Sequence, residues 1–285
     1  MRVEDLQNIY RRGDVVLITG ASSGIGRAIA LWYGHHRPGT TLILTARSKP
    51  RLIELKTELT ALGVADVHLI SIDLASATGP KELYAAVKTL NLQITGLINN
   101  AGAGVMGRFA NTDPAAIANV VDLGVRSHSL VVRLFLPDLL ATAGRLLQVS
   151  SSGAFQPGPY TAVYYATKAY VQSFSEAIAY ELKHSGVTVS ILCPGAVASN
   201  FSRRAGKADV KGAMSPAQVA DYTMPRFLKG RRHIVPGLMN RWLIRGSKIL
   251  PARLLARIVS GIQSKLVTPP DERTTDSLSL GEDHR

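Results

Sequence analysis

The sequence is poor in the residues that build disulfides, metal sites and membrane spans. It holds one cysteine, Cys193, so it cannot form an internal disulfide, which favours a reducing compartment such as the cytosol. No cluster of Cys and His has metal-ligand spacing, and we expect no metal. No apolar run reaches the roughly 18 to 20 residues that span a membrane, and the first residues lack the apolar segment of a signal peptide. We therefore predict a cytoplasmic protein.

Acidic residues are also few, with 20 Asp and Glu against 33 Lys and Arg, for a formal net charge of +13. Residues 201–266 carry 14 Lys and Arg against Asp209 and Asp221, whereas residues 267–285 carry more acids than bases. A basic segment of this kind can meet nucleic acid, anionic lipid or an acidic partner. No known nucleic-acid-binding motif is present, so we predict no nucleic-acid partner.

A glycine-rich turn, Thr-Gly-Ala-Ser-Ser-Gly-Ile-Gly, occupies residues 19–26 between an apolar run and a helical pattern. Gly20 allows the chain to turn off the strand, Gly24 leaves room for a phosphate near backbone N–H groups, and Gly26 allows the helix to pack on the sheet. The helix N-terminus offers unpaired N–H groups to an anion. Because the spacing differs from Gly-x-Gly-x-x-Gly, the turn by itself is equally compatible with a purely structural role.

Apolar strand patterns alternate with helical patterns from residue 15 to residue 192. This order predicts an α/β fold with a Rossmann-like, doubly wound parallel sheet flanked by helices. Ligands bind such sheets at the carboxyl ends of the strands. The glycine turn, Arg47, Asp73 and residues 99–102 all follow predicted strands, and their agreement is stronger evidence than any one motif.

The end of the second predicted strand, Ala46-Arg47-Ser48-Lys49, lacks an acid. In dinucleotide folds an acid there binds the ribose 2′-hydroxyl of NAD, whereas an Arg accommodates the 2′-phosphate of NADP. Guanidinium suits phosphate because its planar fork donates two parallel hydrogen bonds. Arg47 therefore favours NADP(H), although it could also be an ordinary surface charge.

Three residues suggest carbonyl chemistry. Tyr164 and Lys168 lie four positions apart and share a helix face, and Ser151 ends a predicted strand. A cation close to the phenol would lower the pKa of Tyr164 from its usual value of about 10. The three groups could then polarise a carbonyl and transfer a proton while a nicotinamide delivers hydride. Tyr165, three positions before Lys168, is the alternative phenol.

Taken together, these motifs resemble the short-chain dehydrogenase/reductase family. The matching segments are residues 19–26, 73–74, 99–102, Ser151, Tyr164-x-x-x-Lys168 and 194–195, in family order over residues 14–200. The resemblance implies that Tyr164 is the catalytic acid/base, that Lys168 binds the nicotinamide ribose and lowers the Tyr pKa, and that Ser151 orients the substrate. It also implies that Asp73 contacts adenine and Asn99 lies near the adenosine ribose. The cofactor-binding residues implied by the motifs, together with Arg47, are Gly20, Ser22, Ser23, Gly24, Ile25, Gly26, Arg47, Asp73, Leu74, Asn99, Ala101, Gly102, Tyr164, Lys168, Pro194, Gly195, Val197 and Ser199.

One position departs from the family pattern. The family places an Asn on its central helix, thirteen residues before a Pro, to hold a water that relays protons to the active-site Lys. Counting back from Pro137 gives Gly124, which has no side-chain amide. Either a water or a neighbour such as Asp122 substitutes, or turnover is slow.

The C-terminal part is less determined. By resemblance, residues 201–213 form a lid over the substrate, and Ser215-Pro216 predicts a helix start. We predict three regions: a Rossmann-fold domain over 1–237, a basic amphipathic helical extension over 238–266 and a disordered acidic tail over 267–285. The extension either caps the pocket and forms a subunit interface in a homo-oligomer, or contacts an anionic membrane.

The predicted function is an NADP(H)-dependent oxidoreductase that acts on an apolar carbonyl or alcohol, a small-molecule substrate. Two alternatives stay open. One is an NADP(H)-binding sensor with little catalysis, suggested by Gly124. The other is a membrane-peripheral protein in which the basic helices carry the function.

Overall fold

The computed structural model describes residues 13–64, 66–199, 201, 205–206, 212–247 and 249–267. Its seven strands in these residues are β1 (Val15–Thr19), β2 (Thr41–Ala46), β3 (Val67–Ser71), β4 (Gly96–Asn99), β5 (Arg145–Val149), β6 (Thr188–Leu192) and β7 (His233–Ile234). They are parallel and form one sheet in the order β3-β2-β1-β4-β5-β6-β7. The order reverses between β1 and β4, which places a crevice at their carboxyl ends. The predicted Rossmann-like sheet is confirmed.

Helices connect the strands and follow them at the C-terminal side. Those of the described residues are α1 (Gly24–His36), α2 (Lys49–Ala61), α3 (Gly79–Lys88), α4 (Pro114–Val121), α5 (His128–Thr142), α6 (Ala162–Glu181), α7 (Pro216–Leu228), α8 (Leu238–Ser247) and α9 (Ala252–Gln263). Ser215 caps α7 as expected, with a reciprocal capping box to Gln218. The long central helix predicted over residues 114–140 is continuous but contains a π-helical segment, Asp122–Ser127, between α4 and α5.

The apolar side chains of β1 alternate between two cores because successive residues of a strand point to opposite faces. Val16 and Ile18 pack in a cluster with residues of α1, α2 and α7. Val15 and Leu17 pack in a second cluster with residues of α3, α5 and α6. The sheet is therefore covered on both faces, which leaves its strand ends as the places where polar residues gather.

The helix from Pro114 to Thr142 is the one helix in the described part of the chain that is long and apolar enough to cross a membrane by length and composition. Its side chains Val131, Phe135 and Leu139 are fully buried in the same cluster as Leu97 of β4. These three side chains pack in the core of the α/β fold.

Parts of the predicted lid and tail lie outside the described residues. Of residues 201–213, the structure describes Phe201, Ala205, Gly206, Gly212 and Ala213. Of the predicted tail it describes Val267.

Candidate active site

The glycine turn packs directly on the segment that follows β4. Gly20 has a φ of +67°, and a Cβ there would lie 2.9 Å from Nδ2 of Asn100 and 3.0 Å from Cα of Ala101. A Cβ on Gly26 would lie 2.5 Å from both Asn100 Nδ2 and the Gly20 carbonyl oxygen. Any side chain at either position would therefore push the turn away from β4.

Thr19 and Asn100 join the carboxyl ends of β1 and β4. Thr19 Oγ1 accepts hydrogen bonds of 2.9 Å from the backbone N–H groups of Asn100 and Ala101, and Asn100 Nδ2 donates to the Thr19 carbonyl at 2.9 Å. Sequence reasoning gave neither side chain a role. The available signal was a polar residue that ends each of two apolar strands.

The geometry of the turn fits the phosphates of a dinucleotide. Ser23 is the N-cap of α1, but no side chain caps this helix, so its first N–H groups keep their capacity to bind an anion. Ala21 donates its N–H to the Thr45 carbonyl at 3.1 Å, which ties the turn to the end of β2. Arg47 follows that strand end with an exposed side chain that forms no ion pair within the described residues.

The next predicted cofactor residues differ in what their side chains can reach. Asp73 is exposed and accepts a hydrogen bond from Ala75 N at 3.0 Å. Leu74 is buried in the core, and the buried Asn99 amide donates to the His128 carbonyl and to Gln148 Oε1. The side chains of Leu74 and Asn99 therefore stabilise the fold, and only their backbone is left to contact a cofactor.

Arg126 positions the Asp73 loop, a role that sequence reasoning missed. Its Nη2 donates to the Ala75 carbonyl at 2.7 Å and its Nη1 to the Ala77 carbonyl at 3.1 Å, while Nε pairs with Asp122 at 2.9 Å. The four-residue spacing of Asp122 and Arg126 could have indicated their ion pair. The contact of Arg126 with the Asp73 loop joins residues about fifty positions apart, so only the folded structure could reveal it.

The loop after β6 closes the site on its other side. Ser152 N donates to the Pro194 carbonyl at 2.8 Å, and Val197 forms a β-bridge with Met214. Ser199 approaches the glycine turn, since a Cβ on Gly24 would lie 3.7 Å from the Ser199 Cβ. The loop after β6, which holds the predicted cofactor residues Val197 and Ser199, thus lies against the glycine turn.

Ser151, Tyr164 and Lys168 converge beside the end of β4. Tyr164 lies beside Ser151, and Lys168 Nζ lies 5.9 Å from the centre of the Tyr164 ring. Lys168 Nζ donates to the Val149 carbonyl at 2.7 Å, and a Cβ on Gly102 would lie 3.5 Å from it. The arrangement places a phenol, a hydroxyl and an ammonium together next to the predicted cofactor cleft.

The protonation of this group differs from the sequence expectation. Burial raises the pKa of Tyr164 to about 12, and the hydrogen bond to Ser151 offsets this only in part. Burial also lowers the pKa of Lys168 to about 8. Burial thus opposes the expected lowering of the Tyr164 pKa, and the role of Lys168 in that lowering stays a prediction.

The two adjacent tyrosines have different surroundings. The Tyr165 hydroxyl accepts a hydrogen bond from Gln263 Nε2 of α9 at 3.0 Å, and its ring packs on Gly153 and Gly158. Tyr164 instead faces Ser151 and Lys168. Tyr165 thus anchors the C-terminal helix, and Tyr164 is the phenol with the geometry for proton transfer.

The space beside Gly124 is filled by Thr167. A Cβ on Gly124 would lie 3.0 Å from the Thr167 Cβ and 3.2 Å from its Oγ1. Asp122 pairs with Arg126, so it does not replace the family's Asn. The π-helical segment and Thr167 therefore occupy the region in which the family pattern places an amide.

His128 is a buried group close to this site. Its side chain is 2% exposed, and its Nε2 has no hydrogen-bond partner among the residues described. Burial, with a smaller effect from the Lys168 charge, lowers the pKa of His128 to about 3. The folded protein therefore keeps a neutral imidazole that the unfolded chain would protonate near pH 6.5.

This difference predicts a loss of stability in acid. The folded state binds fewer protons than the unfolded state between the two pKa values, so the free energy of unfolding falls as pH drops below about 6.5. By about pH 4.5 the His128 contribution to this loss reaches roughly 2–3 kcal/mol. Thermal unfolding of wild type and His128→Asn at about pH 6.5 and about pH 4.5 should show that acid lowers the stability of the variant less than that of the wild type. Equal losses would contradict the assignment.

Comparisons with known proteins agree with this geometry. The profile of the short chain dehydrogenases matches residues 14–209, which covers the whole sheet up to β6 and the Ser151, Tyr164 and Lys168 group. The chain belongs to the short-chain dehydrogenase family. Its Rossmann-like sheet is the fold of that family.

Relatives of this short-chain dehydrogenase carry varied names. A very-long-chain 3-oxoacyl-CoA reductase of Kluyveromyces lactis is 30% identical over 202 residues, 67% of this chain and 57% of that protein. An 11-beta-hydroxysteroid dehydrogenase 1A of Arabidopsis thaliana is 33% identical over 198 residues, 69% of this chain and 55% of that protein. The chain thus matches little more than half the length of these relatives.

Solved structures show both nicotinamide cofactors. A short-chain dehydrogenase from Sphingobium yanoikuyae in complex with NADPH superposes with a TM-score of 0.75 at 28% identity, covering 83% of this chain and 94% of that one. One from Burkholderia phymatum in complex with NAD has a TM-score of 0.75 at 24% identity, covering 82% and 92%. One of these two solved structures thus holds NADPH and the other NAD.

Proposed function

We propose that this short-chain dehydrogenase is an NADP(H)-dependent oxidoreductase that interconverts an apolar carbonyl compound and its alcohol, with Tyr164 as the general acid/base. The observation that carries the proposal is the convergence of Ser151 and Lys168 on Tyr164 beside the glycine turn. At neutral pH the Tyr164 phenol is protonated, as a general acid in carbonyl reduction must be.

Each residue has a task in this mechanism. The glycine turn and the N-terminus of α1 would hold the phosphates, and Arg47 the 2′-phosphate, of NADP(H), which when bound supplies or accepts the hydride. Ser151 orients the substrate oxygen towards the phenol. Tyr164 donates its proton to the carbonyl oxygen, and Lys168 stabilises the phenolate that this leaves. In the reverse direction Tyr164 takes the proton from the alcohol.

The assignment of Arg47 predicts a change in cofactor preference. Arg47→Ala removes the guanidinium from the end of β2, so the Kd for NADPH should rise roughly 10- to 100-fold, since hydrogen bonds to charged groups contribute about 1.5–3 kcal/mol. The Kd for NADH should change little because NADH has no 2′-phosphate. Fluorescence titration with both cofactors measures this.

Arg51→Ala is the matched control, since Arg51 is also exposed and lies just beyond Arg47 on α2. It should leave both affinities nearly unchanged. An equal loss for NADPH and NADH in Arg47→Ala would refute the 2′-phosphate contact.

An apolar substrate is supported by the surroundings of Tyr164. The ring of Phe201 lies 5.4 Å from the Tyr164 ring, centre to centre, and also meets Gly104. Relatives named for very-long-chain acyl and steroid substrates point in the same direction. NADPH oxidation with ketones and aldehydes of increasing chain length tests the proposal, which expects kcat/KM to rise with length.

A sensor with weak catalysis is the second candidate, and the packing of Thr167 against Gly124 favours it because no amide can enter there. Tight NADPH binding without turnover on any member of the panel would support the sensor. A homo-oligomer and a cytoplasmic location stay predictions, as do the proposed boundaries of domain, extension and tail.

A further inference from the structure

Helices α8 and α9 expose an unusual concentration of large apolar side chains. Sixteen such side chains are exposed in the described part of the chain, and nine of them lie between Leu238 and Ile262. Ile249 is 84% exposed and Trp242 is 66% exposed. Scattered single apolar residues are normal on a surface, but this concentration on two consecutive helices marks an interaction site. The nine residues, here called the apolar face, are Leu238, Met239, Trp242, Leu243, Ile249, Leu250, Leu254, Ile258 and Ile262.

The apolar face of α9 runs between a buried stripe and a basic one. Leu254, Ile258 and Ile262 repeat every four residues and so share one side of the helix. Leu255, Val259 and Gln263 are buried on the adjoining side and dock the helix on the protein. Arg253 and Arg257 are exposed and lie on the side of the apolar stripe that faces away from the buried one. Packing on the protein thus buries only one side of α9, and a second apolar stripe stays exposed.

The charge around the apolar face is of one sign. No Asp or Glu occurs from Tyr222 to Pro270. The exposed cations nearest to the face are Arg245, Arg253, Arg257 and Lys265, and none forms an ion pair with an acid within the described residues. Arg245 lies over the Trp242 ring at 5.3 Å. The pattern of exposed Trp, Leu and Ile bordered by Arg is that of a helix that lies in the plane of an anionic bilayer.

The same two helices form a wall of the active site. Asn240 of α8 packs on Gly195, where a Cβ would lie 2.4 Å from its Oδ1, and Gln263 of α9 bonds the Tyr165 hydroxyl. Ile244 shares a buried cluster with Cys193 at the end of β6. A partner that bound the apolar face would therefore rest against the elements that surround Tyr164.

We propose that the apolar face of α8 and α9, with its bordering arginines, is a docking surface for an anionic lipid bilayer. The apolar side chains insert among the acyl chains, and the arginines contact the lipid phosphates. This surface lies outside the cofactor and proton-transfer residues, so the proposal stands independently of the substrate and cofactor assigned above.

Flotation of the full-length protein tests the proposal, with vesicles of phosphatidylcholine alone and of equal parts phosphatidylcholine and phosphatidylglycerol. We expect binding to the anionic vesicles at about 0.1 M salt and much weaker binding at about 0.5 M. Removal of one surface cation should weaken binding about fivefold, so Arg253→Glu with Arg257→Glu should weaken it at least 25-fold, the product of two such losses. The control pair Arg51→Glu with Lys56→Glu makes the same charge change on exposed positions of α2 and should bind like wild type.

Two isoleucines provide a matched apolar pair. Ile258 on α9 is 47% exposed and Ile53 on α2 is 49% exposed. Ile258→Ser should reduce flotation, whereas Ile53→Ser should not. Tryptophan emission gives a second readout, because Trp242 is exposed while Trp32 is 4% exposed. Anionic vesicles should shift the emission to the blue in wild type but not in Trp242→Phe.

Several results would overturn the proposal. NADPH oxidation with a water-soluble ketone is measured separately, because it tests the proposed function and not the docking surface. Absence of flotation, or flotation that the α2 variants reduce as much as the α9 variants, overturns the proposal. So does light scattering that shows a dimer in wild type and a monomer in Ile258→Ser, combined with no binding to vesicles, since the apolar face would then be a subunit interface.

Discussion

Tyr164→Phe is expected to lower kcat for carbonyl reduction by roughly 10²–10⁴-fold, the range lost when a positioned general acid is removed. The variant removes only the hydroxyl that hydrogen-bonds Ser151 and keeps the ring that packs near Phe201. Because the glycine turn is untouched, the Kd for NADPH should stay within a fewfold of the wild-type value. Steady-state kinetics on the best ketone of the panel, combined with NADPH titration, measures both quantities.

Tyr165→Phe is the natural control for this experiment. It removes the neighbouring hydroxyl, which accepts a hydrogen bond from Gln263 of α9. Loss of one such bond costs about 1 kcal/mol of stability, with kcat reduced only modestly. If Tyr165→Phe abolished turnover and Tyr164→Phe did not, the assignment of the two phenols would be reversed.

Gly26→Ala is expected to disturb the glycine turn strongly. The new Cβ would lie 2.5 Å from Asn100 Nδ2 and from the Gly20 carbonyl, and the second of these is backbone that cannot rotate away. Overpacking of this kind costs about 1–3 kcal/mol of stability. Since relief requires the turn to move off β4, the NADPH affinity should fall at least about tenfold, which is about 1.4 kcal/mol. Thermal unfolding and NADPH titration test both effects.

Gly261→Ala supplies the control, since it makes the same chemical change in a helix. No atom lies within 4 Å of a Cβ at Gly261, which is exposed on α9. Alanine is the better helix former, so this variant should gain roughly 0.5–1 kcal/mol of stability and bind NADPH as wild type does. A Gly26→Ala protein as stable as wild type, with unchanged affinity, would show that the turn is not held against β4 as described.

The sequence was sufficient to predict the parallel sheet, the glycine turn and the family. Strand-helix alternation and the order of the motifs are local properties of the chain, and each is visible within a short window. Residue spacing also put Tyr164 and Lys168 on one helix face, because an α-helix repeats every 3.6 residues. Pro251 lies between the end of α8 at Ser247 and the start of α9 at Ala252, whereas Gly246 lies inside α8.

Several properties required the tertiary structure. Asn99 follows a strand end as a cofactor residue should, yet its amide is committed to His128 and Gln148, which are distant in sequence. Burial raises the pKa of Tyr164, and residue spacing could not predict this because burial is set by the surrounding fold.

The sequence by itself determined the fold and the family, because these follow from local periodicity and motif order. The tertiary structure alone decided which tyrosine faces Lys168, what fills the space beside Gly124 and which sides of α8 and α9 stay uncovered. Those outcomes depend on contacts between residues far apart in the chain. Burial, packing and charge at such contacts cannot be predicted from any short segment of sequence.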